Sequence, residues 1–367
     1  MNNRHRLAWI FSPFIWIVAT ALMLGNPVAA QADDDLLAIG DWADLSPDNP
    51  TSTSSTVRFL NVRSGKLVGS LPPGIGGLHG PNGILFDNNR LIVANQNGFL
   101  DSNGQIIEFG ADVRPGTPLT PLHGDNSPLA PRGIILVPQS DGSRILYVAD
   151  MGDVDIPGQL LAFRLDGRHT VSATRLKPDL SAIGITEKQF HPRGIVLGPD
   201  GYLYVSLRYL PEACGGSVIR FDLARRAFKD VLLSNPKDCS RNVNNLHRPE
   251  GLAFGPDGKL YVTSFQQSAD DVDRILIIPV DERMSGHAGR SIDAIELDRN
   301  QPRASAQALI FGPRGYLYVA ILQTGEVRKY DVVTKGYWLF AQPGTLKQPF
   351  YLSFTKSNPA TLAYKER

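Results

Sequence analysis

The sequence predicts an all-β fold, a six-bladed β-propeller of four-stranded antiparallel blades closed by strands from both chain ends. Three observations predict it. A strand–turn–strand unit recurs at intervals of 43 to 61 residues, and a period of this length is the signature of a blade. The turns carry Pro-Asp-Gly, in which Pro fixes φ and Gly supplies the positive φ of a tight hairpin. The strand inventory at one end of the chain lacks what the other end supplies.

The units begin mostly at Pro-x-Gly. They read PNGILFDNNRLIVAN from Pro81, PRGIILVPQSDGSRILYVAD from Pro131, PRGIVLGPDGYLYVSL from Pro192 and PEGLAFGPDGKLYVTS from Pro249. A degenerate copy, AQALIFGPRGYLYVAI, starts at Ala306, and a faint sixth, PFYLSFTKSNPATLAY, at Pro349. Ile195, Leu197, Leu203 and Val205 alternate with smaller or polar neighbours at period two, as in half-buried strands. A third strand follows most copies: GQIIEF at 104–109, GQLLAF at 158–163, SVIRFDL at 217–223, RILIIPV at 274–280 and EVRKYDV at 326–332. The segment at 56–71 belongs to the same class but precedes the first copy, while PFYLSF has no third strand after it. Joined, the two ends complete one blade, which removes exposed sheet edges. For the second strand of that closing blade, LLAIGD at 36–41 and TLAY at 361–364 compete.

Before the repeats, Arg4, His5 and Arg6 form a basic start, an uncharged apolar run extends from Leu7 to Leu24, and Ala30-Gln31-Ala32 gives a small-x-small exit. This pattern predicts a cleaved signal peptide over 1–32, an exported protein (periplasmic or extracellular), and one propeller domain over 33–367. The long apolar run makes an uncleaved anchor the alternative; once the segment is cut, no membrane association is expected. The chain has 37 Lys plus Arg against 36 Asp plus Glu, a net charge of +1. No basic excess exists to hold a phosphate backbone, so nucleic acid is excluded as the main partner. Cys214 and Cys239 are the only cysteines, and an even count in an exported chain reads as a disulfide. Two buried free thiols are the alternative. A closed propeller needs no partner for its edges, so a monomer is expected.

The pattern P-x-G-[IL]-x-[FL]-G-P-D-G-x-L-Y-V resembles NHL-repeat propellers and the related gluconolactonase (senescence marker protein) superfamily, over nearly the whole mature chain. The resemblance implies architecture more than activity, because propellers host hydrolases, lyases and pure binding modules. It also implies that ligands sit over the central channel, where the x of each Pro-x-Gly opens the innermost strand. The ring so defined is Asn82, Arg132, Arg193, Glu250, Gln307 and Phe350.

Two readings of this ring stand. One is a wet channel mouth in which Arg193 and Glu250 form a structural salt bridge between adjacent blades. The other is a small polar site, with Arg132 and Arg193 offering forked donors to a carboxylate or phosphate. Gluconolactonases imply a divalent metal, calcium or zinc, on Glu, Asn and Asp ligands. Only Glu250 and Asn82 match in type, they fall in different relative blades, and two arginines stand where calcium wants oxygen. The amidating-lyase relatives imply histidine-held zinc; here His79, His123, His191 and His247 lie in blade-to-blade connections. His191, His247 and Glu250 are the candidate acids and bases, and His79 joins the ligand-facing set. Asn95 and Asp150 end second strands, where capping of the following turn is expected. Asp153, Asp155, Asp270, Asp271 and Asp273 lie in loops without regular calcium-loop spacing. The expected function is an exported binding protein that recognises a polar small molecule, anionic in particular, or a protein partner on its top face. The alternative is a divalent-metal-dependent hydrolase or lyase of the lactonase type. A sugar dehydrogenase using a quinone is a third option, and no residue marks a quinone site.

Overall fold

A computed structural model describes residues 35–366 except 53, 99–102, 111, 113, 117, 122, 211–213, 236–243, 281–292 and 299–301. The predicted signal segment and Cys239 lie outside the described residues. Six antiparallel sheets form the blades of a six-bladed propeller, with almost no helix. Five sheets have four strands. The sixth has three, Pro81–Asp87, Arg90–Asn95 and Gln105–Phe109. Along its outer edge the chain still bonds as a fourth strand would, Gly116 N–H to the Glu108 carbonyl and Leu119 N–H to that of Ile106. Pro115 and Pro118 lack the N–H groups that a regular ladder needs there.

The closing blade settles the competition between the termini. Pro349–Phe354 pairs with Leu36–Asp41, which pairs with Thr56–Asn61. All six residues of Leu36–Asp41 are buried, so this apolar segment gains a full strand's worth of burial in the second place. The C-terminal residues do something else. Asn358 caps a turn by accepting from the Ala360 and Thr361 N–H groups. The tail then crosses the lower end of the channel, where Leu136 and Leu197 donate backbone N–H groups to the carbonyls of Pro359 and Ala360. Leu362 holds a positive φ of 57° and packs against four of the hydrophobic clusters between blades.

Turn chemistry appears as predicted. Gly201 and Gly258 take φ of 81° and 76°. Asp200 and Asp257 accept from the backbone two residues on and from the hydroxyls of Tyr204 and Tyr261. Each hairpin is thereby tied to the strand that leaves it.

The third position of each Pro-x-Gly sets the channel's waist. A Cβ on Gly83, Gly133 or Gly194 would lie 2.3, 2.7 or 2.5 Å from the carbonyl oxygen of Arg132, Arg193 or Glu250 in the next blade. Adjacent inner strands pack too closely there for any side chain. The corresponding residues in the last three blades are Gly251, Ala308 and Tyr351, and Tyr351 and Leu362 help to line the small cavity left on the axis.

A guanidinium ring around one buried carboxylate

Above the waist the x residues come together as the repeat requires. Asn82, Arg132, Arg193, Glu250, Gln307 and Phe350 are all at least nine-tenths buried. Glu250 is fully buried and sits among three arginines. Arg132 Nη1 lies 3.6 Å from its Oε1, and Arg193 Nε and Arg208 Nη2 lie 3.9 and 2.5 Å from its Oε2. Burial pushes the Glu250 carboxyl upward, but the guanidiniums of Arg208, Arg193 and Arg132 override it and hold the group below its ordinary range. Burial lowers Arg193 to about 9 and lowers Arg208 as well, with Glu250 opposing both shifts. A guanidinium keeps its proton in proteins, so the ring carries three of them around one carboxylate.

The contacts are electrostatic more than directional. Neither Glu250 oxygen has a well-aligned hydrogen bond, and Nε of Arg193 and both Nε and Nη2 of Arg208 are also without one. The expected Arg193–Glu250 pair exists, but Arg208 makes the closer approach.

Arg208 belongs to a second ring that the inner-strand repeat does not reveal. The residue just beyond each aligned second-strand core is Trp42, Gln96, Met151, Arg208, Phe265 or Leu322 in the six blades. Each of these touches the first ring or, for Phe265, Arg208. Trp42 stacks on Phe350 with centroids 4.5 Å apart, and Leu322 packs beside them. Gln96 accepts from Asn82 at 2.7 Å. Met151 sulfur faces Arg132 Nε at 3.3 Å and Arg193 Nη1 at 2.8 Å. Phe265 lies under Arg208, Arg248 and Arg303, with Arg208 nearest at 4.7 Å. Arg132 also reaches the Trp42 and Phe350 rings at 6.0 and 5.5 Å, so aromatic faces and not further acids support its charge.

The other candidates differ in their surroundings. His191 is fully buried, and its ring nitrogens face the carbonyls of Met151 and Lys188 at 2.7 and 2.8 Å. Both nitrogens are turned to backbone carbonyls of the neighbouring loops. His247 Nδ1 meets Asn235 at 3.3 Å, its Nε2 has no partner, and burial lowers its pKa. His79 is buried with both ring nitrogens unpartnered, and desolvation lowers its pKa too. His123 is exposed. Gln307 turns to the Ser305 carbonyl of its own strand at 3.3 Å.

Asp150 caps the following turn as expected, whereas Asn95 ties down the loop that precedes its blade. Asn95 accepts from the His79 N–H, and Asp150 accepts from the N–H groups of Leu129, Ala130 and Gly152 and from the Gln159 amide. Asp41 plays the same part in the closing blade, bonding Lys347 and Gln348. The loop acids Asp155, Asp271 and Asp273 are engaged by Lys188, Arg274 and Arg303.

A divalent cation does not fit this ring. Its one carboxylate is already faced by three cations, Asn82 Oδ1 is turned toward Arg132 at 3.4 Å, and a cation there would add to an existing positive excess. Among the described residues no group of three or more His, Cys, Asp or Glu converges on a metal-sized point. Cys214 is not a free thiol, while Cys239, its expected partner, falls outside the described residues. No helix of the described residues is long and apolar enough to cross a membrane.

No protein-family model matches the chain, and no curated protein matches its sequence. Solved structures do resemble it. A chain of a nidogen/laminin complex superposes with a TM-score of 0.56 at 13% identity, covering 88% of this chain and 98% of that one. The periplasmic gluconolactonase PpgL of Pseudomonas aeruginosa gives 0.54 at 14% identity, covering 87% and 99%. TolB from Acinetobacter baumannii gives 0.52 at 10% identity, covering 88% of this chain and 66% of that one. At such identities the likeness is one of fold, and these neighbours differ in what they do; the chain is a six-bladed β-propeller with nidogen/laminin-complex and gluconolactonase structures among its structural neighbours.

Proposed function

We propose that this chain is an exported binding protein whose upper ring takes a small anionic molecule. One observation carries the reading: Glu250 is fully buried among Arg132, Arg193 and Arg208. Three guanidiniums against one carboxylate leave an excess of two positive charges in a desolvated place, with donors unused. Burying such an excess is costly unless a counter-charge arrives, and planar, forked donors favour an oxyanion. The excess charge also separates this reading from a metal-dependent hydrolase, which needs the opposite sign in the ring. Export rests on the N-terminal segment and on the cysteine pair, read as a Cys214–Cys239 bridge.

A thermal melt tests the proposal. In the presence of small oxyanions at a hundredfold excess over Kd, binding stabilises by about 2.7 kcal/mol, raising Tm by about 5 °C in a domain of this size. Chloride at equal ionic strength should not do so, and Arg193→Met should abolish the rise. A melt indifferent to every anion tried would remove the proposal.

A further inference from the structure

We propose that the upper ring holds a doubly charged tetrahedral oxyanion, a phosphate that is free or the head of a monoester, between the Arg132 and Arg193 guanidiniums, with the Tyr351 hydroxyl as a further donor. The inference deepens the anion-binding reading and rests on it.

Charge comes first. Arg132, Arg193 and Arg208 face Glu250 alone, so the ring's excess is two positive charges. A monoanion leaves one of them buried and uncompensated, whereas a dianion leaves none. The ring is also narrow. All three arginines reach the same carboxylate within 3.9 Å, so both negative charges of the ligand must sit on one centre. A phosphate satisfies this, and two carboxylates separated by carbons do not.

The present partners of the arginines mark the place. Arg132 Nε and Arg193 Nη1 both point at the Met151 sulfur, at 3.3 and 2.8 Å. A thioether is a weak acceptor, and a charged donor facing one gains far more from an anionic oxygen. Methionine is unbranched and adaptable, so its sulfur can swing aside at small cost. The two guanidiniums would then close on the oxyanion from adjacent blades.

Tyr351 supplies the third argument. Five blades carry Gly or Ala at its position, namely Gly83, Gly133, Gly194, Gly251 and Ala308. The sixth carries a phenol whose oxygen is buried with no hydrogen-bond partner. Part of its ring remains accessible, but the hydroxyl lies in the field of Glu250 and the three arginines, and burial keeps it protonated well above the ordinary range. An unpartnered buried hydroxyl costs about 1–3 kcal/mol. A bound phosphate oxygen removes that cost, because a protonated phenol donates.

Calorimetric titration of the full chain at low ionic strength tests the proposal, with inorganic phosphate, phenyl phosphate, succinate and acetate as probes. The expected result is that one or both phosphates bind at least about tenfold tighter than succinate and acetate. The tighter of the two phosphates identifies the free ion or the monoester. Tyr351→Phe should weaken phosphate binding about two- to tenfold without lowering Tm. Met151→Leu leaves every charge in place and removes the competing acceptor, so it should bind phosphate at least as tightly as the unaltered chain. Acetate or succinate binding as tightly as phosphate would overturn the assignment of a tetrahedral dianion and leave the anion site standing. Phosphate affinity lost in Met151→Leu, or unchanged in Tyr351→Phe, would overturn the placement. If none of the four probes binds, both this inference and the anion reading fail.

Discussion

Two fully buried carboxylates, one blade-length apart in role, show how differently this fold treats a charge. Asp150 ends a second strand and is clasped by three backbone N–H groups and an amide. Every donor is local to its own blade, and Asp41 repeats the arrangement in the closing blade. Glu250 opens an inner strand and has no aligned hydrogen bond, only three guanidiniums drawn from two different blades. A carboxylate that repeats around the ring and satisfies backbone donors holds loops in place. A carboxylate that occurs once, amid excess opposite charge, is a site. Their titration differs accordingly: burial raises Asp150 against its four hydrogen bonds, whereas the arginines bring Glu250 down against its burial.

The comparison breaks most visibly at Glu250 itself. Glu250→Gln leaves three buried guanidiniums with no counter-charge and is expected to cost about 3–5 kcal/mol in denaturant unfolding. Phosphate should restore much of that loss, because the anion replaces the missing charge. Asp150→Ala removes an acceptor from four donors and should cost about 2–4 kcal/mol, with no rescue by phosphate. Rescue of both variants, or of neither, would erase the distinction between clasp and site.

At the lower end of the channel, Leu362→Ala should cost about 2 kcal/mol, since the side chain joins four clusters yet stays partly accessible. Anion affinity should be unaffected by it.

The smallest effects are in pH dependence and have opposite signs. Glu250 titrates lower when folded than when unfolded. Its contribution is full above its unfolded value near 4.5 and is lost as pH falls through the folded value. Asp150 titrates higher when folded, so its contribution is full below 3.8 and is lost as pH rises through the folded value. Unfolding of the unaltered chain, Glu250→Gln and Asp150→Asn between pH 3 and 7 checks this (window set by about the ordinary carboxyl range). Relative to its own neutral variant, the unaltered chain should gain stability with rising pH at Glu250 and lose it at Asp150. Slopes of the same sign would contradict the assigned environments.

Much of this is legible in the sequence. Pro-x-Gly starts and Pro-Asp-Gly turns are local signals, so blade number, the inner ring and the capping role of Asp150 follow from the sequence alone. The choice of Leu36–Asp41 over 361–364 as closing strand was not legible. Both segments are short and apolar, and only the packing of Leu362 under the channel separates them. Arg208 was missed because attention to Pro-x-Gly selects the first strand of each blade. Its signal lies at the far end of the second strand, where Trp42, Gln96, Met151, Arg208, Phe265 and Leu322 align and no two agree. Variation at a fixed register, inside an otherwise regular repeat, marked the second ring. Charge excess was equally invisible to composition. A chain of net charge +1 gathers three arginines around one acid only through the geometry of ring closure.

The most direct test of the central claim is a crystal structure of the full chain soaked in selenate, a tetrahedral dianion with anomalous signal. The account predicts an anomalous peak at the upper ring within hydrogen-bond reach of Arg132 and Arg193, with the Met151 side chain displaced. A ring with Met151 sulfur still between those arginines and selenate bound nowhere near Glu250 would contradict it.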